Sequence, residues 1–361
     1  MRLLLFNLAT DADDPVLGFA LRWIEGLAEM AAHIDVITMR AGRHDLPANV
    51  RVYSVGKEKG YSEPRRAVEF YRILLRMLRC HRYDVCFAHM MPLFAVMAAP
   101  LLWVKRIPTV LWYTHKSVTW LLRAATFCVD RVVTASADSF RLNSPKVRVI
   151  GHGVETQRFL PANPAEAVAR PFTVVTVGRL SRIKRLEVLL AAVARFREQN
   201  PDLPICLKIV GGPLTAQDQA YAAELKRQVA QQQLQETVAF VGRVPFQEIV
   251  PVYQQADCCV NLCPTGGVDK AVLEAMSCGV PVLVANRTFA SILGAKLAHT
   301  LLLEAEAAQL GDRLRLLAAL QDGERRQFGR RLREIVVHDH DLTKLCERLI
   351  QELRELQMED F

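Results

Sequence analysis

The 361-residue chain is 51% hydrophobic and 7% aromatic, a composition and length that suit two soluble α/β domains. Its longest apolar stretch, Met90 to Val104, is too short for a bilayer-spanning helix of ~20 residues, and no low-complexity segment or short repeat is present. The net charge of +8 lies wholly in residues 1–160, where 22 Lys+Arg face 14 Asp+Glu, while the remaining residues balance at 24 each, so the first half is expected to meet an acidic partner or surface.

The start, Met1-Arg2-Leu3-Leu4-Leu5-Phe6-Asn7, turns polar too soon for a signal peptide and reads as a first buried strand, Arg2–Leu8. After a loop from Ala9 to Val16, the helical spacing of Phe19, Trp23, Leu27 and Met30 predicts a helix over Gly18–Ala31. Strands follow at Ile34–Met39 and Val50–Val55, then a basic helix within Arg65–Arg82. Arg65, Arg72, Arg76 and Arg79 share one face of it, and Tyr71, Leu74, Leu75 and Leu78 form an apolar stripe. A basic amphipathic helix can lie on anionic lipid, and the same pattern also fits the solvated face of an ordinary domain helix. Next come strand Asp84–Ala88, helix Met91–Val104, strand Thr109–Tyr113, helix Ser117–Cys128, and strands Arg131–Ala135 and Val147–Ile150. Strands alternating with helices imply a parallel, doubly wound sheet.

Periodicity stops over Gly151–Arg170, the expected linker between domains 1–165 and 166–340. The alternation then resumes with strand Phe172–Val177, helix Leu186–Gln199, strand Ile205–Val210, helix Ala216–Gln232 and strands Val238–Val241, Cys258–Leu262 and Val280–Val284. From about Glu304 the chain reads as helical, and its last segment, 341–361, is a candidate to pack back on the first domain. The fold class expected is α/β, two Rossmann-like domains facing across a cleft, with a helical C-terminus. Neither half carries GxGxxG after a strand, which argues against a nicotinamide or flavin enzyme.

Two stretches of the second half could carry chemistry. Asp257–Ala285 reads as strand, Thr265-Gly266-Gly267 turn, helix and second buried strand, with Asp269 as helix N-cap and Cys278-Gly279 as its stop. A glycine turn opening a helix at the carboxyl end of a parallel strand is a ready anion site, although the same pattern serves any tight βαβ unit. Glu274 lies inside that helix, where a carboxylate can accept from sugar hydroxyls. After strand Phe172–Val177 comes Gly178-Arg179-Leu180-Ser181-Arg182-Ile183-Lys184-Arg185, in which Arg179 and Lys184 can pair with a diphosphate.

These stretches, Val177–Lys184 and Gly266–Val282, resemble the nucleotide-sugar-binding half of the retaining glycosyltransferases of GT-B fold, family four (glycosyl transferases group 1). Asp84–His89, Ile107–His115 and Gly151–Phe159 resemble segments of the first half of that family, in the same chain order. The resemblance implies a metal-independent transfer of a sugar, of hexosyl type, from a nucleotide-diphosphate sugar to a hydroxyl acceptor with retention of configuration. It makes Arg179, Lys184 and His115 the catalytic candidates: the two cations would neutralise the departing diphosphate, and His115 would lie over the donor sugar. Glu274 matches the second acid of the E-x7-E motif, which holds the ribose; Gly18 lies in the loop that approaches phosphate or acceptor, and Arg243 and Val244 would border the base. The donor-binding set is completed by Gly266, Gly267, Val268, Asp269, Lys270 and Leu273.

The chain departs from the family where the first acid should stand: Gly266 replaces it, Asp269 stands where glycine is common, and Lys270 follows. Amides of Gly267 and Val268 could still bind oxygens, and Lys270 reads equally as a charge near the diphosphate or as a surface lysine. Loss of that acid supports an alternative, a catalytically silent nucleotide-sugar binder. Four weaker candidates remain: His89 near the cleft, His152 as a structural residue, the Asp11-x-Asp13 pair, and His338–Asp341, where Asp341 serves as a helix N-cap. Nine cysteines without a CxxC, including Cys258, Cys259 and Cys263, read as reduced thiols rather than a metal site. The setting expected is cytoplasmic, with an anionic membrane surface as a possible partner through Arg65–Arg82 and a glycolipid, polysaccharide or envelope precursor as acceptor. Nucleic acid is not expected, for want of interleaved aromatics or a known module.

Overall fold

The computed structural model describes residues 1–14, 17–163, 170–264 and 266–359. The chain divides into two compact units, Met1–His152 together with Leu342–Phe361, and Gly153–Asp341. The expected boundary at 165/166 and Thr265 of the glycine turn lie outside the described residues, as does Val16 at the end of the first loop.

The first unit alternates β1 (Arg2–Asn7), α1 (Ala20–Ala28), β2 (His33–Thr38), β3 (Val50–Ser54), α2 (Glu63–Cys80), β4 (Val85–His89), α3 (Pro92–Val104), β5 (Thr109–Trp112), α4 (Trp120–Cys128), β6 (Arg131–Thr134) and β7 (Val147–Val149). Its seven strands are ordered β3-β2-β1-β4-β5-β6-β7, and every ladder is parallel. β1 is an interior strand, with Leu5 beside Val36 on one side and Phe87 on the other, and Leu3 to Phe6 are buried, as a strand covered on both faces requires.

The second unit runs β8 (Phe172–Val177), α5 (Leu186–Gln199), β9 (Ile205–Val210), α6 (Ala216–Gln231), β10 (Val238–Gly242), α7 (Ile249–Gln254), β11 (Cys258–Asn261), α8 (Lys270–Ser277), β12 (Val282–Val284), α9 (Phe289–Leu301), α10 (Ala307–Ala319) and α11 (Asp322–Asp339). Its five parallel strands are ordered β10-β9-β8-β11-β12. The last helix, α12 (Leu342–Glu359), belongs to the first unit, where it packs beside α1.

Several details differ from the sequence reading. α1 is shorter at both ends than Gly18–Ala31, and α4 starts only at Trp120, where the Thr119 hydroxyl accepts from Leu122 N at 3.1 Å and caps it. β12 starts at Val282 because Pro281 has no N–H for the ladder; its carbonyl still accepts from Cys259 N at 2.8 Å. α7 and α9 appear where no helix was expected, and α9 is kinked at Gly294, whose φ is 68°. Finally, only half of the apolar stripe expected on α2 is core: Leu74 and Leu78 are buried together with Phe70, Ile73 and Met77, whereas Leu75 is half-buried and Tyr71 is 38% exposed.

Candidate active site

From β8 the chain builds β9 and β10 on one side, then returns to build β11 and β12 on the other. The carboxyl ends of β8 and β11 are therefore neighbours where the strand order reverses, the place at which open parallel sheets bind ligands. Residues 178–185 leave one end and residues 262–269 leave the other. Both stretches singled out in the sequence thus emerge at the same edge.

Glycine makes the first exit possible. A β-carbon on Gly211 would lie 1.8 Å from the Gly178 carbonyl oxygen, and one on Gly178, whose φ is +146°, would meet Lys184 Cε at 3.4 Å. Lys184 thus folds back over bare backbone, and its Nζ donates to Asp269 Oδ2 at 2.6 Å, tying the two exits together. Asp269 Oδ2 also accepts from Asn261 Nδ2 at 2.8 Å, and its Oδ1 accepts from Ala271 N at 3.2 Å as the N-cap of α8. Burial pulls the Lys184 ammonium down, but Asp269 outweighs it and holds the group above its ordinary value. Burial likewise raises Asp269, and Lys184 with the two hydrogen bonds brings it below the usual carboxylate range. The pair is charged throughout the neutral range.

Gly266, with a φ of +132°, begins the turn before α8. Asn286 Nδ2 donates to the Gly267 carbonyl at 3.0 Å, and the Thr288 hydroxyl donates to that of Gly266 at 3.3 Å. With the carbonyls held on that side, the amides of Gly266, Gly267 and Val268 donate to no acceptor among the described residues. They add to the unsatisfied N–H groups and positive dipole end of α8, which together suit an anion.

Arg179 is half exposed, with Nε 3.8 Å from Asp218 Oδ2. Asp218 is itself fixed in the capping box of α6 with Thr215. Beside it a cavity of about 10 Å³, room for one water, is lined by Gly178, Arg179 and Lys184. The Ser181 hydroxyl is buried nearby in the same loop and has no partner among the described residues. Arg243 follows β10 and donates from Nη2 to the Pro213 carbonyl at 2.5 Å; Gly212 leaves room for it. Val244 packs against the core of this unit.

Glu274 is buried rather than displayed. Its Oε2 accepts from the Tyr253 hydroxyl at 2.8 Å, and its Oε1 accepts from no group among the described residues. Burial pushes this carboxyl up to about 7, against the opposing pull of Tyr253 and Lys270. Burial also lowers the Lys270 ammonium, so this lysine is not an ordinary solvated surface lysine. Leu273, placed in the donor-binding set by its position, is fully buried and packs in the core; it offers no surface to a ligand. The Val268 side chain is buried too, leaving only its backbone for binding.

The first-unit candidates scatter over several loops. His115 is exposed after β5, its Nδ1 accepting from Ser117 N at 3.1 Å. Gly18 accepts no side chain, because a β-carbon would lie 2.9 Å from the Asp14 carbonyl oxygen. His89 is a core residue stacked on Trp23 at 4.6 Å, and His152 lies edge-on to Trp112. Asp13 is spent on an ion pair with Arg43 at 2.6 Å, and Asp11 accepts from Asp13 N, so the D-x-D pair serves its own loop. His338 bonds its neighbour Asp339, and Asp341 accepts from the Thr156 hydroxyl.

Sequence reasoning missed Asn261, Asn286, Thr288 and Tyr253, which hold Asp269, the turn and Glu274. A usable signal existed for Asn261 and Asn286: both are polar residues at the carboxyl ends of apolar strands, on the ligand-binding edge. Nothing local marks Tyr253, which reaches Glu274 from another helix.

Known proteins share the family and the fold of this chain. The family model "Glycosyltransferase Family 4" matches residues 19–158, and the model "Glycosyl transferases group 1" matches residues 171–319. The putative colanic acid biosynthesis glycosyltransferase WcaL of Escherichia coli is 28% identical over 219 residues, 58% of this chain, which spans about half (52%) of that protein's length. A D-inositol 3-phosphate glycosyltransferase of Corynebacterium diphtheriae is 26% identical over 307 residues, covering 72% of this chain and 71% of that protein. Anabaena Alr3699/HepE, solved in complex with UDP, shares the fold with a TM-score of 0.75 at 20% identity, over 98% of this chain and 100% of that one. With one family model on each half and a two-sheet architecture shared end to end, the chain belongs to the group 1 glycosyltransferases, family 4, and has their GT-B fold.

Proposed function

We propose that the chain moves a hexosyl group from a nucleotide-diphosphate sugar to a hydroxyl acceptor, retaining the anomeric configuration and using no metal ion. One observation carries this reading: the Lys184 ammonium and the amide-lined turn before α8 meet at the reversal point of the second sheet. Together with Arg179 they form a cradle for two adjacent phosphates. As the bond from the anomeric carbon to the phosphate oxygen breaks, its electron pair goes to the diphosphate, whose growing charge these groups stabilise. The acceptor hydroxyl attacks from the same face and gives its proton to the departing phosphate oxygen, yielding the glycoside and a nucleoside diphosphate. His115 keeps the positioning role implied by the resemblance, and Glu274 the ribose role, through its uncommitted Oε1.

UDP is the first nucleotide to try, since HepE was solved with UDP, with UDP and glucose together, and with UDP-glucose. The WcaL name, which refers to colanic acid biosynthesis, favours a polysaccharide or its precursor among the expected acceptors. The test is thermal shift against UDP-, GDP-, ADP- and TDP-sugars, followed by transfer assays with chelator present and NMR of the product. One donor class should raise Tm, the product should keep the donor's anomeric configuration, and Lys184→Ala should lower kcat/KM about 10²–10³-fold. An inverted product or a chelator-sensitive rate would refute the mechanism. Binding without transfer would favour the silent binder, which Gly266 in place of an acid already suggests.

A further inference from the structure

We propose that the outer face of α3 and α4 docks on an anionic lipid bilayer. The proposal is independent of the transferase reading and rests on three observations within the first unit. α3, PLFAVMAAPLLWV, has thirteen residues and no charged side chain, and an all-apolar helix is normally covered on every side. Its inner face is covered, with Phe94, Ala98 and Leu102 in the core, but outward Trp103 is 50% exposed and Val104 81% exposed. α4 adds Trp120 and Phe127, both 77% exposed and two turns apart on one face, with exposed Arg123 between them. The two helices are neighbours: Trp103 Nε1 donates to the Cys128 carbonyl at 3.1 Å.

The charge around this face names the occupant. Residues 85–129 contain no Asp or Glu. Lys105, Arg106 and Arg123 are exposed and form no ion pair among the described residues. α2 lies against α3, its Tyr71 hydroxyl donating to the Met97 carbonyl at 3.1 Å, and contributes the exposed Arg76 and Arg79. Indole rings sit well at the headgroup level of a bilayer, and cations beside them meet anionic headgroups. Nucleic acid would satisfy the cations but leave the aromatic and aliphatic groups in water. A second copy would cover the apolar groups but bring like charges together. The sequence of α2 fitted either a lipid-facing helix or an ordinary domain helix; the structure buries Leu74 and Leu78 of its stripe, and the more exposed apolar groups lie on α3 and α4.

The experiment is flotation of the whole chain with phosphatidylcholine vesicles, alone or with about a third phosphatidylglycerol, at low and near-physiological salt. Binding is expected to the anionic vesicles, weaker at higher salt, with a blue shift in indole emission. That shift reports Trp103 and Trp120, since Trp23 and Trp112 are each only 2% exposed. The double variant Trp120→Ala/Phe127→Ala alters two exposed side chains, so its melting curve should match the parent while binding falls at least about tenfold. Arg123→Glu should weaken binding to anionic vesicles as well. No flotation with anionic vesicles, or flotation unchanged in the double variant, would overturn the proposal. So would a concentration-dependent dimer that the double variant abolishes without any vesicle binding, which would assign the face to a second copy.

Discussion

Lys184 and Asp269 are 2.6 Å apart, and neither is an independent charge at the candidate diphosphate site. The lysine is held in place over Gly178 before any ligand arrives, which reduces the ordering that binding must impose on a long side chain. The aspartate is also a competing anion, which under the proposed function an incoming diphosphate would have to displace from the lysine. Glu274 makes a separate, pH-dependent contribution. Its folded-state value near 7 stands above its ordinary 4.5, so the folded protein binds this proton more tightly than the unfolded one. Its stabilisation is complete below 4.5 and is lost as pH rises to about 7. Between those limits, parent stability should fall relative to Glu274→Gln by on the order of 2–3 kcal/mol. Denaturant unfolding of both proteins at several pH values measures this, and parallel curves would refute it. The sequence marked Lys184, Asp269 and Glu274 as a group, but not that Asp269 neutralises Lys184 or that Tyr253 holds Glu274. Those partners meet from the loop after β8, from α7 and from the start of α8, with Lys184 and Asp269 85 positions apart and Tyr253 and Glu274 21 apart.

At the scale of elements, α8 is aimed at the site by its far end. Gly279, with φ +69°, ends the helix, and Gly329 of α11 lies against it so closely that a β-carbon there would sit 1.9 Å from the Gly279 carbonyl oxygen. Arg333, one turn on, reinforces the contact by donating to the carbonyls of Phe159 (2.7 Å) and Thr156 (3.1 Å) and to that of Ser277. Gly329→Ala sets two effects in opposition. Helix propensity alone would stabilise the variant by up to about 1 kcal/mol, whereas pushing the two helices apart costs about 1–3 kcal/mol. The obstacle is backbone that cannot rotate away, so the clash should win and the melting temperature should fall. A rise in melting temperature would show that the helices separate freely. α8 was legible from its Asp269 cap and Cys278-Gly279 stop, but its packing against α11 was not: a glycine in a polar helix carries no sign of what it faces.

At the scale of the molecule, the final helix crosses back to the unit that the chain left at His152. Leu345, Cys346, Leu349, Ile350, Leu353 and Leu356 of α12 are buried in the same core as Leu3, Trp23 and Val36. Arg131 Nη1 secures the helix from β6, bonding Glu352 at 2.6 Å and Glu355 at 3.0 Å. Each such apolar side chain contributes about 1.5–3 kcal/mol on burial, so losing six removes roughly 10 kcal/mol, comparable to the whole stability of a domain. A chain ending at Asp341 should therefore lose the cooperative melting of its first unit while the second still melts. Scanning calorimetry of the two forms tests this, and an unchanged profile would refute it.

Along the chain, the sequence by itself determined the strands, most of the helices, their parallel alternation and the two glycine-bearing exits. These follow from periodicity and from residues acting within a few positions of themselves, and the family motifs are likewise local. Tertiary structure alone decided that Asp269 engages Lys184, that Leu74 and Leu78 of the α2 stripe are core and Leu273 sealed, and that Trp103, Trp120 and Phe127 stay in the open. Each of those outcomes depends on which surfaces compete for burial. That competition is settled between segments tens of residues apart, and no local pattern encodes its result.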